Sequence, residues 1–245
     1  MYTSVSMTAT TDAPDLPPTR RRADWTALPK GRYAAPREFV FQSQRERMLE
    51  AMAFAVAEKG YAATTVADVV ARAGVSRKTF YEQFANKEAC FFAAYDAGVE
   101  LLIEDLARAI AGAGDWWAAL QAGTRRYLDA MAENGAFART FLIEILAVGP
   151  DSLERRAAVH QRFADLLAAA HNAARGDLPP LPEIPERSFR ACVGAINELV
   201  TDHLTRRSAE TLPELLDELI AIQLALFTGP SVEGLGELVV RPESD

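Results

Sequence analysis

Apolar residues recur along this chain at intervals of three and four, the period of helices with one buried face. No period-two strand pattern of note interrupts them. The first run, from about Ser43 to Lys59, puts Met48, Leu49, Met52, Ala53 and Val56 on one stripe, and Gly60 ends it. Val66, Val69, Val70 and Ala73 then mark a short helix that stops at Gly74. Phe80 and Phe84, four apart, mark another. A long fourth helix starts at Asn86 or Lys87 and keeps its spacing from Phe91 through Tyr95, Val99, Leu102 and Leu106 to Ile110. Five more follow: Trp116 to about Glu133, Ala136 to Val148, Asp151 or Ser152 to about Arg175, Glu186 to about Arg207, and from near Leu212, with Pro213 in its first turn, to Gly229-Pro230. Gly176 to Pro185 carries four prolines and reads as a loop. The pattern predicts an all-α protein of about nine helices.

The junctions of the second and third helices are the most specific part of the pattern. Thr65 is suited to cap helix 2, with Asp68 three residues on completing a capping box. Gly74 permits the left-handed turn that ends that helix, and Ser76 caps the next. Arg77, Lys78, Thr79, Tyr81 and Gln83 fall on the outward face or its borders, opposite Phe80 and Phe84. Two short helices around a glycine turn, the second polar outside and basic at its start, are what a helix-turn-helix needs to enter a DNA major groove. Arg77 and Lys78 sit where base edges and phosphates are met, and Arg can bond one guanine twice. Thr79 suits a thymine methyl or a phosphate, and Tyr81 a phosphate oxygen. Gln83 can donate to a phosphate or pair with adenine, and Lys87 heads a helix whose N-terminus favours a phosphate.

The stretch Thr-Val-x-x-Val-Val-x-x-Ala-Gly-Val-Ser-x-x-x-Phe-Tyr-x-x-Phe-x-Asn-Lys-Glu, preceded by Glu58-Lys59-Gly60-Tyr61, resembles the TetR/AcrR family of bacterial transcriptional regulators over residues 43–92. The resemblance implies that Thr65, Tyr81 and Lys87 contact phosphates and that Arg77, Lys78 and Thr79 lie in the groove. It also implies a C-terminal half that binds a small molecule and dimerises. Two positions depart from the pattern: Val70 stands where a small Ala is usual, and Gln83 where His or Tyr is frequent.

The expected organisation is a flexible basic arm over 1–36, a DNA-binding domain over 37–92, a helical regulatory and dimerisation domain over 93–230, and a tail over 231–245. The arm, with Arg20-Arg21-Arg22, is either solvated or reaches along the DNA backbone or into a minor groove. Net charge is −8, unusual for a DNA binder, but it is unevenly spread. Residues 1–92 hold 13 Lys and Arg against 10 Asp and Glu, and the remainder 13 against 24. A mildly basic head on an acidic body suits a local DNA footprint. Cys90 and Cys192 read as small buried hydrophobes in a reducing cytoplasm rather than a redox pair. The N-terminus lacks signal-peptide features and no run reaches membrane-spanning length, so a cytoplasmic protein is expected.

In the C-terminal half, Trp117, Phe137, Phe141, Phe163 and Phe189 are candidates to line a pocket, with His160 and Asn197 as polar handles; Trp116, His171 and His203 are further options. Helices 8 and 9 are apolar on more than one face, so one face can meet a second copy. Val193, Ile196, Val200, Leu204, Leu216, Ile220, Leu224 and Phe227 are the expected dimer residues. A two-fold dimer sets two recognition helices about one DNA turn (roughly 34 Å) or a multiple apart, matching a palindromic operator. No metal-ligand spacing, nucleophile elbow, phosphate loop or dinucleotide fingerprint occurs. The reading is therefore a dimeric DNA-binding regulator rather than an enzyme, without cofactor: a repressor released from a palindromic operator by a small hydrophobic effector, whose alternatives are an activator or constitutive binder without an effector and a helical module that never touches DNA.

Overall fold

The computed structural model describes residues 37–175 and 183–228. Among these it contains nine α-helices and no strand. The expected arm, the C-terminal tail and most of the proline-rich loop lie outside the described residues. The helices are α1 Arg37–Ala63, α2 Val66–Ala73, α3 Arg77–Gln83, α4 Lys87–Ala111, α5 Trp116–Glu133, α6 Gly135–Leu142, α7 Asp151–Arg175, α8 Glu186–Arg206 and α9 Leu216–Thr228.

The caps act where the sequence puts them. Thr65 and Asp68 form a reciprocal capping box, with Thr65 N–H donating to Asp68 Oδ2 at 2.8 Å. Ser76, Asn86 and Asp115 each accept from the backbone N–H three residues on. Gly74 closes α2 in the left-handed region, at φ 63°. Gly60 has φ 80° and ψ 158°, so α1 breaks there and a last turn runs on to Ala63.

Three boundaries differ from expectation. The first helix begins at Arg37 rather than Ser43. Its early part is tied to α3, because the Gln83 amide donates to the Phe41 carbonyl at 3.3 Å. The helix predicted over 136–148 ends at Leu142 and tightens into a 3₁₀ turn, Glu144–Ala147. There the Glu144 carboxylate accepts from Tyr61 N–H at 2.8 Å and Ile145 is fully buried. A further 3₁₀ segment, Ala209–Leu215, precedes α9, which begins at Leu216 rather than Leu212. Pro213 lies inside that segment, and proline cannot sit in an α-helix interior without a clash and a lost hydrogen bond.

One continuous core runs from Met48, Met52 and Phe80 at the N-terminal end to Leu219 and Phe227 at the other. Helix α4, roughly 37 Å long at 1.5 Å per residue, joins the two regions. Phe91 packs edge-on against Tyr61, at 5.1 Å between ring centres, near its start. Farther along, Tyr95 stacks on Phe141 at 5.2 Å and 19°. Three ion pairs grip the outer face of α4: Asp96 with Arg155, Glu100 with Arg162 at 2.6 Å, and Asp105 with Arg126 at 2.5 Å. Where α6 crosses α4, the Phe137 ring lies directly over Gly98, and a Cβ there would fall 1.9 Å from Phe137 Cε2.

Candidate nucleic-acid interface and internal cavity

Helix α3 is seven residues long and shows one face to solvent. Phe80 is fully buried, and Phe84, just past the helix, is nearly so, with their rings 5.5 Å apart. The Arg45 guanidinium covers Phe84 at 4.6 Å. On the other side Arg77 is exposed, and so is Tyr81, at 52%. Lys78 is exposed at 86% of its side chain and held only by Glu82, one turn on, at 3.8 Å. Arg77, Lys78 and Tyr81 therefore form one convex polar surface. Thr79 is half-buried, its hydroxyl 2.9 Å from Ser76 Oγ, and Ser76 also accepts from Thr79 N–H. Ser76 and Thr65 are exposed but engaged in caps.

Two expected DNA contacts have other partners. Gln83 turns back onto α1, where its amide holds the Phe41 carbonyl. Lys87 bends over Tyr61: its Nζ donates to the Tyr61 carbonyl at 2.8 Å and lies 4.0 Å from the ring centre. Both are integral to the domain's packing, which residue type alone could not reveal. Behind this surface, α2 is fastened to α1 by Glu58 with Arg72 and by Lys59 with Asp68 at 2.6 Å. The Lys59 and Thr65 bonds hold the Asp68 carboxyl well below the usual carboxylate range. Tyr61, which the sequence offered only as part of the Glu58-Lys59-Gly60-Tyr61 stretch and with no role, lies buried beneath Lys87.

A cavity of about 90 Å³ lies among α4, α5, α7, α8 and α9. Of the expected pocket residues, Phe141, His160, Phe163 and Asn197 line it. Trp117, Phe137 and Phe189 do not. Trp117 is 43% exposed and its neighbour Trp116 takes the inward place, since adjacent helical positions differ by 100°. Phe137 is occupied with Gly98 and Phe141. Phe189 packs one layer out, against Phe227 at 5.1 Å and His171 at 5.7 Å. His171 does line the cavity, whereas His203 bonds the Thr211 hydroxyl away from it.

None of the described lining residues carries a formal charge. His160 bonds Asn197, and burial, with Arg156 nearby, lowers its pKa. Burial pushes the Tyr127 hydroxyl up. A second polar pair, Thr124 and Gln223, was missed by sequence. The signal was there: Gln223 is the lone polar residue between Leu219 and Phe227. Leu106 and Ile110 bring α4 itself into the wall.

The expected dimer residues need correction. Val193, Val200, Leu204, Ile220 and Phe227 are all 8% exposed or less within the chain's own core, so no partner can reach them. Ile196, Leu216 and Leu224 are half-buried, and Ile196 lines the cavity. Leu199, Leu215 and Ile222 are half-buried too, Leu199 and Leu215 packing against the core, and Leu226 is 36% exposed. Both cysteines are fully buried, and burial pushes each thiol up to about 12.

A capped helix-turn-helix with a basic, convex second helix defines a DNA-binding protein. Residues 49–94, which hold the helix-turn-helix, match the family model of bacterial regulatory proteins, tetR family. No curated protein sequence matches the chain. Among solved structures, the fatty acid degradation regulator FadR from Bacillus halodurans is similar at 19% identity and a TM-score of 0.62, covering 76% of this chain and 99% of that one. FadR from Bacillus subtilis, in complex with stearoyl-CoA, is similar at 17% and 0.65, with the same coverage. PfmR from Thermus thermophilus, a TetR family regulator, is similar at 20% and 0.56, again over 76% and 99%. At these identities the likeness is one of fold, and it extends through the helical body. No helix among the described residues is long and apolar enough to cross a membrane, and no group of His, Cys, Asp or Glu there could hold a metal ion.

Proposed function

We propose that this protein is a cytoplasmic, dimeric repressor that leaves a palindromic operator when a hydrophobic small molecule enters the body. The observation that carries the reading is the double role of α4. Its Leu106 and Ile110 wall the cavity, while its first residue, Lys87, packs on Tyr61 beside the helix-turn-helix. Between them, Tyr95 of α4 stacks on Phe141, itself a lining residue. A molecule that displaces Phe141 or the end of α4 biases the placement of α3. The coupling required is about 1–3 kcal/mol. The uncharged, aromatic wall supports a hydrophobic effector, as does the fold's likeness to a FadR with stearoyl-CoA bound. Arg77 and Lys78 read base edges, and Tyr81 and Thr65 position the helix on phosphates. Dimerisation uses Ile222 and the exposed Leu226, with the half-buried Leu199 and Leu215 at the edge.

The test is fluorescence anisotropy on the promoter fragment beside the gene, with and without an uncharged apolar additive such as 1-octanol. Arg77→Ala is expected to weaken specific binding by about 1–3 kcal/mol with an unchanged melting temperature. Normal binding by Arg77→Ala sinks the assignment of α3. Binding that no hydrophobic additive alters leaves an activator or a constitutive binder.

A further inference from the structure

We infer that the cavity accepts an uncharged, largely apolar molecule that donates a hydrogen bond to Gln223 Oε1. The inference rests on the effector reading above and narrows its chemistry. Gln223 is only 1% exposed and lines the cavity from α9. Its orientation is fixed by its neighbours. The Thr124 hydroxyl donates to the Leu120 carbonyl at 2.8 Å, so towards Gln223 it accepts. The Leu219 carbonyl only accepts. The Gln223 amide nitrogen donates to both, at 2.8 and 3.2 Å. That leaves Oε1 as the outer end of the amide, and it accepts no hydrogen bond from any described residue. Oε1 therefore faces the cavity as an acceptor open to a ligand, and a bound molecule that displaces water from it without donating a hydrogen bond forfeits that bond.

The rest of the wall sets what the donor is attached to. Leu106, Ile110, Phe163, Leu166 and Leu167 offer only hydrocarbon. No Lys or Arg lines the cavity to balance an anion, and the Gln223 group that faces the ligand is itself an acceptor. A carboxylate would bring lone pairs against a lone pair with its charge desolvated. An ether or ester would fill the space and leave Oε1 unbonded. An alcohol, phenol or amide N–H on an apolar body satisfies both demands.

Calorimetric titration of the full chain with 1-octanol, octanoate at pH 8 and methyl octyl ether tests this without DNA. The expected order is octanol tighter than either of the others by at least about tenfold, the scale of one buried hydrogen bond. Gln223→Met keeps the side-chain length and removes the acceptor. It is expected to lower octanol affinity about tenfold and leave the ether unchanged. Octanoate binding as tightly as octanol, no binding by any of the three, or an unaltered octanol-to-ether ratio in a folded Gln223→Met overturns the inference. If that variant does not fold, the wild-type order decides. Octanol binding with no effect on the operator supports this inference and removes the effector reading.

Discussion

At the scale of single residues, Gly98 is where the fold tolerates least. Replacing a helical glycine with alanine ordinarily stabilises by up to about 1 kcal/mol. Here the new methyl meets the Phe137 ring, which cannot slide away freely because it stacks on Phe141 at 5.4 Å. Overpacking costs about 1–3 kcal/mol, so the clash outweighs the propensity gain. Gly98→Ala is expected to lower the thermal midpoint, and a higher midpoint would refute this account. Residue identity was a good guide where the physics is local. Thr65, Ser76, Asn86 and Asp115 are caps because a short oxygen-bearing side chain precedes a helical run, and all four act so. It was a poor guide where two faces compete. Nothing local distinguishes Trp116 from Trp117, and only the packing of α7, whose His171 ring meets Trp116 edge-on at 6.3 Å, decides which turns inward.

At the scale of elements, a carboxylate and a hydroxyl beside α6 bond the body to the first helix across the shared core. Glu144, in the 3₁₀ turn after α6, accepts the N–H of Tyr61 just past the break of α1 at Gly60. Thr140 of α6 also donates to the Ala53 carbonyl of α1, at 3.3 Å. Glu144→Ala leaves the Tyr61 N–H unbonded at a buried residue and is expected to lower unfolding free energy by about 1–3 kcal/mol. Glu144→Gln retains an acceptor and is expected to recover most of that loss in denaturant titrations. If the two variants are equally unstable, the charge rather than the hydrogen bond holds the contact. This contact joins residues 83 positions apart. Helical periodicity could not report it, and for the same reason it could not foresee that the helix would stop at Leu142.

At the scale of the whole molecule, the correction to the dimer residues alters where a second copy can sit. Helices apolar on two faces were expected to pack one side in the monomer and the other on a second copy. The core faces of Val200, Leu204, Ile220 and Phe227 are filled from within the chain, so we place the second copy on Ile222 and the exposed Leu226, with the half-buried Leu199 and Leu215 at its edge. Ile222→Glu is expected to convert a dimer to a monomer in sedimentation equilibrium with its helical content intact. A mass unaffected by this change rules out that placement. Lys87 ties the molecule's two ends together in a different way. Its ammonium already has a carbonyl and an aromatic face at Tyr61, the residue whose N–H Glu144 holds. A DNA phosphate that recruits Lys87 releases a counterion but breaks an internal bond. Lys87→Ala is therefore expected to flatten the salt dependence of log K by about 0.9 while reducing affinity far less than an ordinary phosphate contact would. Such a contact adds more to the sensitivity of operator occupancy to salt than to its strength, so occupancy falls with rising salt more steeply than the energy of this contact alone implies.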